Sequence, residues 1–356
     1  MKAARYHGPG DIRVEQVSEP DVAKGQVKIK VRLCGSDLHA FLTVTSIFPT
    51  VDEPNFLTKE KLPITLGHEF SGTVVEVGEG VDKNKFPANQ SVCAEPLLSC
   101  RTASCSECAD GSRNICPHAN SLGIAGWGGG LSEYISVDQD LVHVLPPNIP
   151  LDVGACIEPL SVAWYAVKRS GFKAGDSTLV LGSGPASIIF LQPIRALGAS
   201  WIGVSEPSPL RRQLASKHGA SALFDPLSPG VDILQSILDA TSGRGVDIAF
   251  DCAGVQAALD TALVSLKPRG VLMGIALWEG KPVLDANLIL FRELTYTGII
   301  SYDRVHPEVI QAVASGKLGS FEDIITSKIA IEDVVEKGFK ALIEEKDRQI
   351  KVLVHP

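Results

Sequence analysis

Hydrophobic and polar residues alternate in short stretches over the first 150 residues, the period of half-buried strands. Ile12–Val17 and Val27–Leu33 read as antiparallel strands, the latter part of Phe70–Gly78 alternates in the same way, and Val92–Glu95, Leu131–Val137 and Leu141–Leu145 resume the pattern. Residues 43–63 hold three prolines and no regular period, which reads as a surface loop at the mouth of a site. From Leu151 the character changes. Asp152–Lys168 has the spacing of an amphipathic helix bridging to a second domain. Short apolar runs then alternate with helical stretches: strands at Thr178–Leu181, Trp201–Ser205, Ala222–Phe224, Asp247–Asp251, Val271–Met273 and Leu294–Ile299, with helices to about Leu197 and at Val231–Thr241, Val255–Ser265 and Ala286–Arg292. This predicts an α/β chain with a doubly wound parallel sheet after a mainly antiparallel β domain. Pro307–Ser315 and Ile331–Lys346 read as helices and Ile350–Val354 as a last strand. Six strands complete such a sheet, so the expected domains are 1–155 with 296–356, and 156–295.

The stretch Thr178–Glu206 carries the first chemistry. A buried strand runs into Gly182-Ser183-Gly184-Pro185, a helix follows, Gly198 stands at its C-cap, and the next strand ends in Glu206. Strand, glycine turn, helix, strand and acid form the βαβ unit that binds a dinucleotide. Gly182 and Gly184 let the backbone approach a pyrophosphate, and Pro185 and Ala186 open the helix whose free N–H groups meet that charge. Ser187 stands where a third glycine is usual. The alternative is a glycine-rich turn of any α/β domain, which would not need the acid in register. Glu206 would accept hydrogen bonds from a ribose diol and repel a 2′-phosphate, favouring NAD over NADP. Arg211 and Arg212 would soften that preference, unless they only form a solvated helix face. Asp251-Cys252-Ala253-Gly254 closes another strand at the edge where the nicotinamide half would lie, so Cys252 and Ala253 are candidate contacts, with packing the alternative for Cys252.

Composition narrows the class. With 356 residues, 45% hydrophobic and 21% charged, the chain suits a two-domain globular protein. A net charge of −8 argues against nucleic-acid or anionic-membrane binding. No apolar leader opens the sequence and no sorting or lipidation motif closes it, so the cytoplasm is the expected compartment. There a cysteine cluster is a metal site before it is a disulfide framework. Four of the eight cysteines, Cys100, Cys105, Cys108 and Cys116, crowd into one turn-rich stretch and would saturate a tetrahedral zinc, which makes the site structural. Four unpaired cysteines, or a redox Cys-x-x-Cys pair, are the alternatives. Cys34, His68 and Glu158 are scattered, and each alone has an ordinary structural explanation. Together a cysteine, a histidine and a carboxylate leave zinc an open position, with Asp37 and Glu69 as acids that would orient the ligands.

The pattern Gly67-His68-Glu69, Gly72, Gly78 and Val81, with Cys34, the four-cysteine stretch and Glu158-Pro159-Leu160, resembles the zinc-containing medium-chain alcohol and polyol dehydrogenases from end to end. The resemblance implies a GroES-like catalytic domain beside a Rossmann domain, one catalytic and one structural zinc, and NAD. It implies Cys34, His68 and Glu158 as catalytic-zinc ligands, with Glu69 as a further ligand or an orienting acid. Glutamate rather than cysteine at 158 points to the diol and polyol branches. There LPITLGHEFSGTVVEVGEGV, GGGLSEYISV, IEPLSVAWYAV and the tail ITSKIAIEDVVEKGFKALIEEKD are most like the enzymes that interconvert (R,R)-2,3-butanediol and acetoin. Sorbitol- or xylitol-type activity is the alternative within the family. A zinc-stabilised nucleotide-binding or sensing protein is the alternative outside enzymes. The first cysteine spacing is four residues where the family usually has two. By the same likeness Ser36 would bond the substrate oxygen and His39 would finish a proton relay, a task suited to a group titrating near neutrality. The family's members are homodimers or homotetramers, and the expected partner is a small-molecule diol or polyol.

Overall fold

The computed structural model describes residues 1–35, 47–182, 185–230, 232–278, 280–321, 323–345 and 348–356, with Pro185, Ala186 and Ser187 described by their backbone alone. The chain forms two compact units. One comprises Met1–Pro159, Asp303–Ser315 and Ile325–Pro356, and the other Leu160–Tyr302 and Gly316–Ile324.

The first unit is built on a seven-stranded sheet. Its order is Val142–Val144, Ser91–Ala94, Phe70–Val77, Gln26–Gly35, Lys351–His355, Ile325–Ala330, with Tyr134–Asp138 also pairing the long strand Gln26–Gly35. Every pair is antiparallel except Ile325–Ala330 with Lys351–His355. Its core joins alternate residues of these strands, among them Ile29, Val31, Phe70, Val74, Val92, Ile135 and Val354. The strand read at Ile12–Val17 does not pair with Val27–Leu33. Asp11–Gln16 instead pairs with Lys2–Gly8, through the tight Pro9-Gly10 turn. Alternation reveals which face of a strand is buried, not which strand lies beside it.

The helix expected over Asp152–Lys168 is interrupted. Leu151–Gly154 forms one turn and Ile157–Arg169 the main helix. Pro159 lacks an N–H and fits only the first turn, which fixes the start near Ile157. The run from Ile331 is helical in three geometries: a 3₁₀ turn Ile331–Asp333, a π stretch Val334–Lys340 and an α turn Ala341–Glu344.

The second unit holds a six-stranded parallel sheet, ordered Ala222–Phe224, Trp201–Ser205, Ser177–Leu181, Val246–Asp251, Leu266–Gly274, Thr295–Gly298. The first strand in sequence, Ser177–Leu181, sits in the middle and pairs on both sides. This is the doubly wound order, in which the carboxyl ends beside the central strand form a ligand crevice. Leu179, Leu181, Ala249, Leu259, Leu263 and Leu272 fill the core between this sheet and its helices.

Candidate metal centres and nucleotide site

In the first unit the chain gathers three groups of metal-ligating side chains among the described residues. Cys100, Cys105, Cys108 and Cys116 form one, with Sγ–Sγ separations of 3.7 Å for Cys100–Cys108, 3.9 Å for Cys105–Cys116 and 3.6 Å for Cys116–Cys100. A zinc ion at roughly 2.3 Å from each of four thiolates sets them about 3.8 Å apart, so these three separations match the edge of its tetrahedron. The long first spacing is absorbed locally. Arg101 takes a left-handed φ of 51°, Cys105 N–H donates to Thr102 O at 3.2 Å, and Arg101 pairs with Asp140 at 3.1 Å. A 3.3 Å hydrogen bond with the Thr102 hydroxyl helps hold the Cys100 thiol below the ordinary thiol range.

His68, Glu69 and Glu158 form a second group, their ligand atoms all within 4.8 Å of one another. His68 and Glu69 immediately precede the strand Phe70–Val77, and Glu158 lies in the first turn of the helix Ile157–Arg169. Cys34 ends the central strand, opposite Phe70, and is completely buried. Its thiol lies beside this group, not within it, against Gly67 and Gly130, and donates to Gly35 O at 3.4 Å. Gly67 has a φ of 100°, and a Cβ there would come 2.6 Å from Cys34 Sγ. No other residue lets the chain turn into His68 so close to the thiol.

Lys351, which the sequence reading passed over, is buried and pairs with Glu69 Oε2. Burial alone would lower its pKa. The charge of Glu69, its hydrogen bond with Lys351 and the charge of Glu158 outweigh that and hold it up, so it remains a cation. Its only sequence signal is one lysine inside the apolar run Ile350–Val354. Cys93 and Cys156 are buried, and burial pushes the Cys156 thiol up to about 12 and raises Cys93 as well.

Glu95, His143 and His306 form the third group, also outside the sequence reading. His143 Nε2 donates to Glu95 Oε2 at 3.0 Å, and His306 Nδ1 lies 3.6 Å from the same oxygen. The two rings stack with centroids 5.1 Å apart. Cys-rich and mixed His/carboxylate groups together are consistent with one structural and one catalytic zinc.

In the second unit the carboxyl ends of three neighbouring strands bring the nucleotide candidates to one edge. Leu181 pairs with Ser205 on one side and Asp251 on the other, so Gly182, Glu206 and Cys252 leave the sheet side by side. Gly182 has a φ of 86°, and a Cβ there would stand 3.1 Å from the Ala253 Cβ. Its N–H bonds Ser205 O at 2.8 Å, and Asp251 Oδ1 accepts from Ala253 and Gly254 at 3.0 and 3.1 Å. Pro185 and Ala186 open the helix Pro185–Ala196. Glu206 is buried, with Oε1 accepting from Ser208 N–H at 2.8 Å. Arg212 bonds the carbonyls of Glu206 and Pro207 at 2.6 and 2.7 Å and pairs with Asp225 at 2.9 Å. Arg211 lies in the first turn of the helix Pro209–Lys217, where its N–H donates to the Ser208 hydroxyl. Ser36, Asp37, His39, Ser183 and Gly184 lie outside the described residues.

Residues 187–315 match the zinc-binding dehydrogenase family, and residues 23–147 match the alcohol dehydrogenase GroES-like domain. The chain is 42% identical to the (R,R)-butanediol dehydrogenase of Bacillus subtilis strain 168 over the full length of both proteins. The chain belongs to the zinc-containing medium-chain dehydrogenase/reductase family. Its identity to the (R,R)-butanediol dehydrogenase of Neisseria gonorrhoeae is 38%, over all of this chain and 99% of that protein. The crystal structure of 2R,3R-butanediol dehydrogenase from Bacillus subtilis superposes with a TM-score of 0.92 at 40% identity, covering 100% of this chain and 99% of that one. As a member of this family the chain is a zinc-dependent, NAD(H)-binding alcohol or diol dehydrogenase. The α/β architecture expected from the sequence, a Rossmann sheet in one unit and a mainly antiparallel GroES-like domain in the other, is the one observed. Among the described residues no helix is long and apolar enough to cross a membrane.

Proposed function

We propose that this enzyme interconverts (R,R)-2,3-butanediol and acetoin, with Cys34, His68 and Glu158 as the catalytic-zinc ligands and Glu69 beside them. What supports the reading is the convergence of His68, Glu69 and Glu158 within 4.8 Å, in a chain aligned end to end with a butanediol dehydrogenase. The donor set fits the ion: an imidazole and carboxylates with a buried thiol alongside offer the mixed ligands that leave zinc one open position.

Zinc held there supplies Lewis acidity toward the substrate oxygen, and a bound dinucleotide supplies the hydride acceptor. The chain's own residues supply the rest. Glu206 accepts the ribose hydroxyls and disfavours a 2′-phosphate, while Arg212 is engaged with Asp225. Gly182 and Gly184 give the pyrophosphate close approach, with Pro185 and Ala186 opening the helix that faces it, and Ala253 and Cys252 border the nicotinamide half. Lys351 pairs with Glu69 and orients it, so that Glu69 accepts a hydrogen bond from the second hydroxyl of a vicinal diol. Ser36 receives the substrate proton and His39 carries it outward. Free thiolate ligands persist in a reducing compartment, which makes the cytoplasm the setting this reading calls for. A homodimer or homotetramer completes it, supported by the exposed apolar residues flanking the edge strand Thr295–Gly298.

The test is NADH absorbance with purified enzyme, NAD and equal concentrations of (R,R)-2,3-butanediol or sorbitol, with and without a zinc chelator. Chelator-sensitive oxidation preferring butanediol, abolished in His68→Gln, is the expected result. Preference for sorbitol would transfer the chemistry to the polyols, and undiminished turnover in His68→Gln would remove the catalytic assignment.

A further inference from the structure

We propose that Glu95, His143 and His306 form a third divalent-metal site, for zinc or an ion of similar preference, distinct from the four-cysteine site and from His68/Glu69/Glu158. The three donors come from distant parts of the chain, and the fold holds each in place. Glu95 follows the strand Ser91–Ala94, and its N–H bonds Leu141 O at 2.7 Å. His143 sits in Val142–Val144, paired with Cys93. His306 is the first residue of the helix His306–Ala314 and is fully buried. All three ligand atoms lie within 4.8 Å of one another.

Geometry favours an ion over a hydrogen-bonded triad. One oxygen, Glu95 Oε2, faces both rings, at 3.0 Å from His143 Nε2 and 3.6 Å from His306 Nδ1. The longer separation exceeds a hydrogen bond. Two ligands at roughly 2.0–2.1 Å from one zinc stand about 3.4 Å apart, between the two observed distances. Two imidazoles and a carboxylate are a standard zinc set with a fourth position left over. A cavity of about 290 Å³ lies over Glu95 and His143, between Arg113, Asp140 and Arg304, and gives that position room for water or an anion.

The position explains what the ion would do. Arg113 lies within the cysteine-rich loop and pairs with Asp140 at 3.3 Å, and Arg304 donates to Gly111 O of that loop at 3.2 Å. An ion at Glu95, His143 and His306 would therefore pin the helix His306–Ala314 to the end of the sheet, next to the loop held by the cysteines.

Metal-stripped wild-type enzyme, Glu95→Gln and His143→Gln are titrated with Co²⁺, and bound cobalt per chain is counted while the spectrum is recorded. The wild type is expected to bind three equivalents and each variant two, the missing one having no thiolate charge-transfer band. Two equivalents in the wild type, equal counts in all three proteins, or loss of an equivalent that carries the thiolate band would each overturn the proposal. The wild-type count decides even if a variant fails to fold. The count is independent of turnover, so a different substrate preference leaves it intact.

Discussion

Lys351 shows what one buried residue contributes. It sits in the strand Lys351–His355, almost wholly out of solvent, with Glu69 as its ion-pair partner. Removing one member of a buried pair strands the other, at a cost of about 3–5 kcal/mol. Lys351→Met is therefore expected to lose stability of that order in chemical denaturation and, through a misplaced Glu69, to lower kcat. Lys351→Arg should retain much of both. Wild-type stability and turnover in Lys351→Met would show the pair to be idle. At this scale the sequence was legible where a motif stated the chemistry. Glu158 stands out before Pro159-Leu160, and His68 between Gly67 and Glu69. Lys351, Glu95, His143 and His306 carry no such neighbours. A lone lysine in a strand usually extends to water, and lone histidines usually settle a local hydrogen bond, so only their convergence in space reveals them.

Elements are joined by polar ties that no periodicity announces. Asp247, in the strand Val246–Asp251, accepts from Ser177 N–H at 2.8 Å and Ser177 Oγ at 2.6 Å, and it pairs with Lys267. Burial would raise its pKa, but Lys267 and Ser177 overcome that and lower it. A depressed carboxylate stabilises the fold above its unfolded pKa of about 3.9, and this contribution is lost as pH falls through the folded value. Asp247→Asn should accordingly be less stable at neutral pH by about 1.5–3 kcal/mol, with the gap to wild type closing on acidification in parallel urea melts. A gap independent of pH would mean the charge contributes nothing. The cysteine-rich loop makes a second case. Its helices are one turn each, Ser106–Ala109 and Arg113–Ile115, too short to persist alone. Cys105→Ser is expected to release one zinc and make this loop the first cleaved in limited proteolysis. An intact loop with zinc missing would show that packing suffices. The metal spacing here was readable because thiolate chemistry is local in sequence. The π stretch Val334–Lys340 was not, since helical periodicity does not separate one helical geometry from another.

For the molecule as a whole, the parallel sheet was the easier half to read, because its central strands hold short apolar runs and most strands are followed by a helix. The antiparallel unit was harder. Gln26–Gly35 pairs with Phe70–Val77, Tyr134–Asp138 and Lys351–His355, and nothing local foretells partners so distant. The parallel sheet also ends in an open edge. Among the described residues Thr295–Gly298 pairs on one side only, with Tyr296 at 40% exposure, and the preceding helix leaves Leu290 and Phe291 at 67% and 80%. Val283 adds another exposed apolar side chain just ahead of that helix. An unprotected strand edge with apolar neighbours invites pairing with a second copy, and a two-fold axis would let the same edge serve both chains. Light scattering behind size exclusion should then give a multiple of 37.9 kDa for the wild type. Phe291→Asp, which would bury a charge at that contact, should shift the mass toward one chain, since a central aromatic anchor is commonly worth about 2 kcal/mol or more. If the variant keeps the wild-type mass, the assembly uses another face. If the wild type itself runs as a single chain, this edge is guarded only by its own residues, and the variant should differ from it in solubility alone.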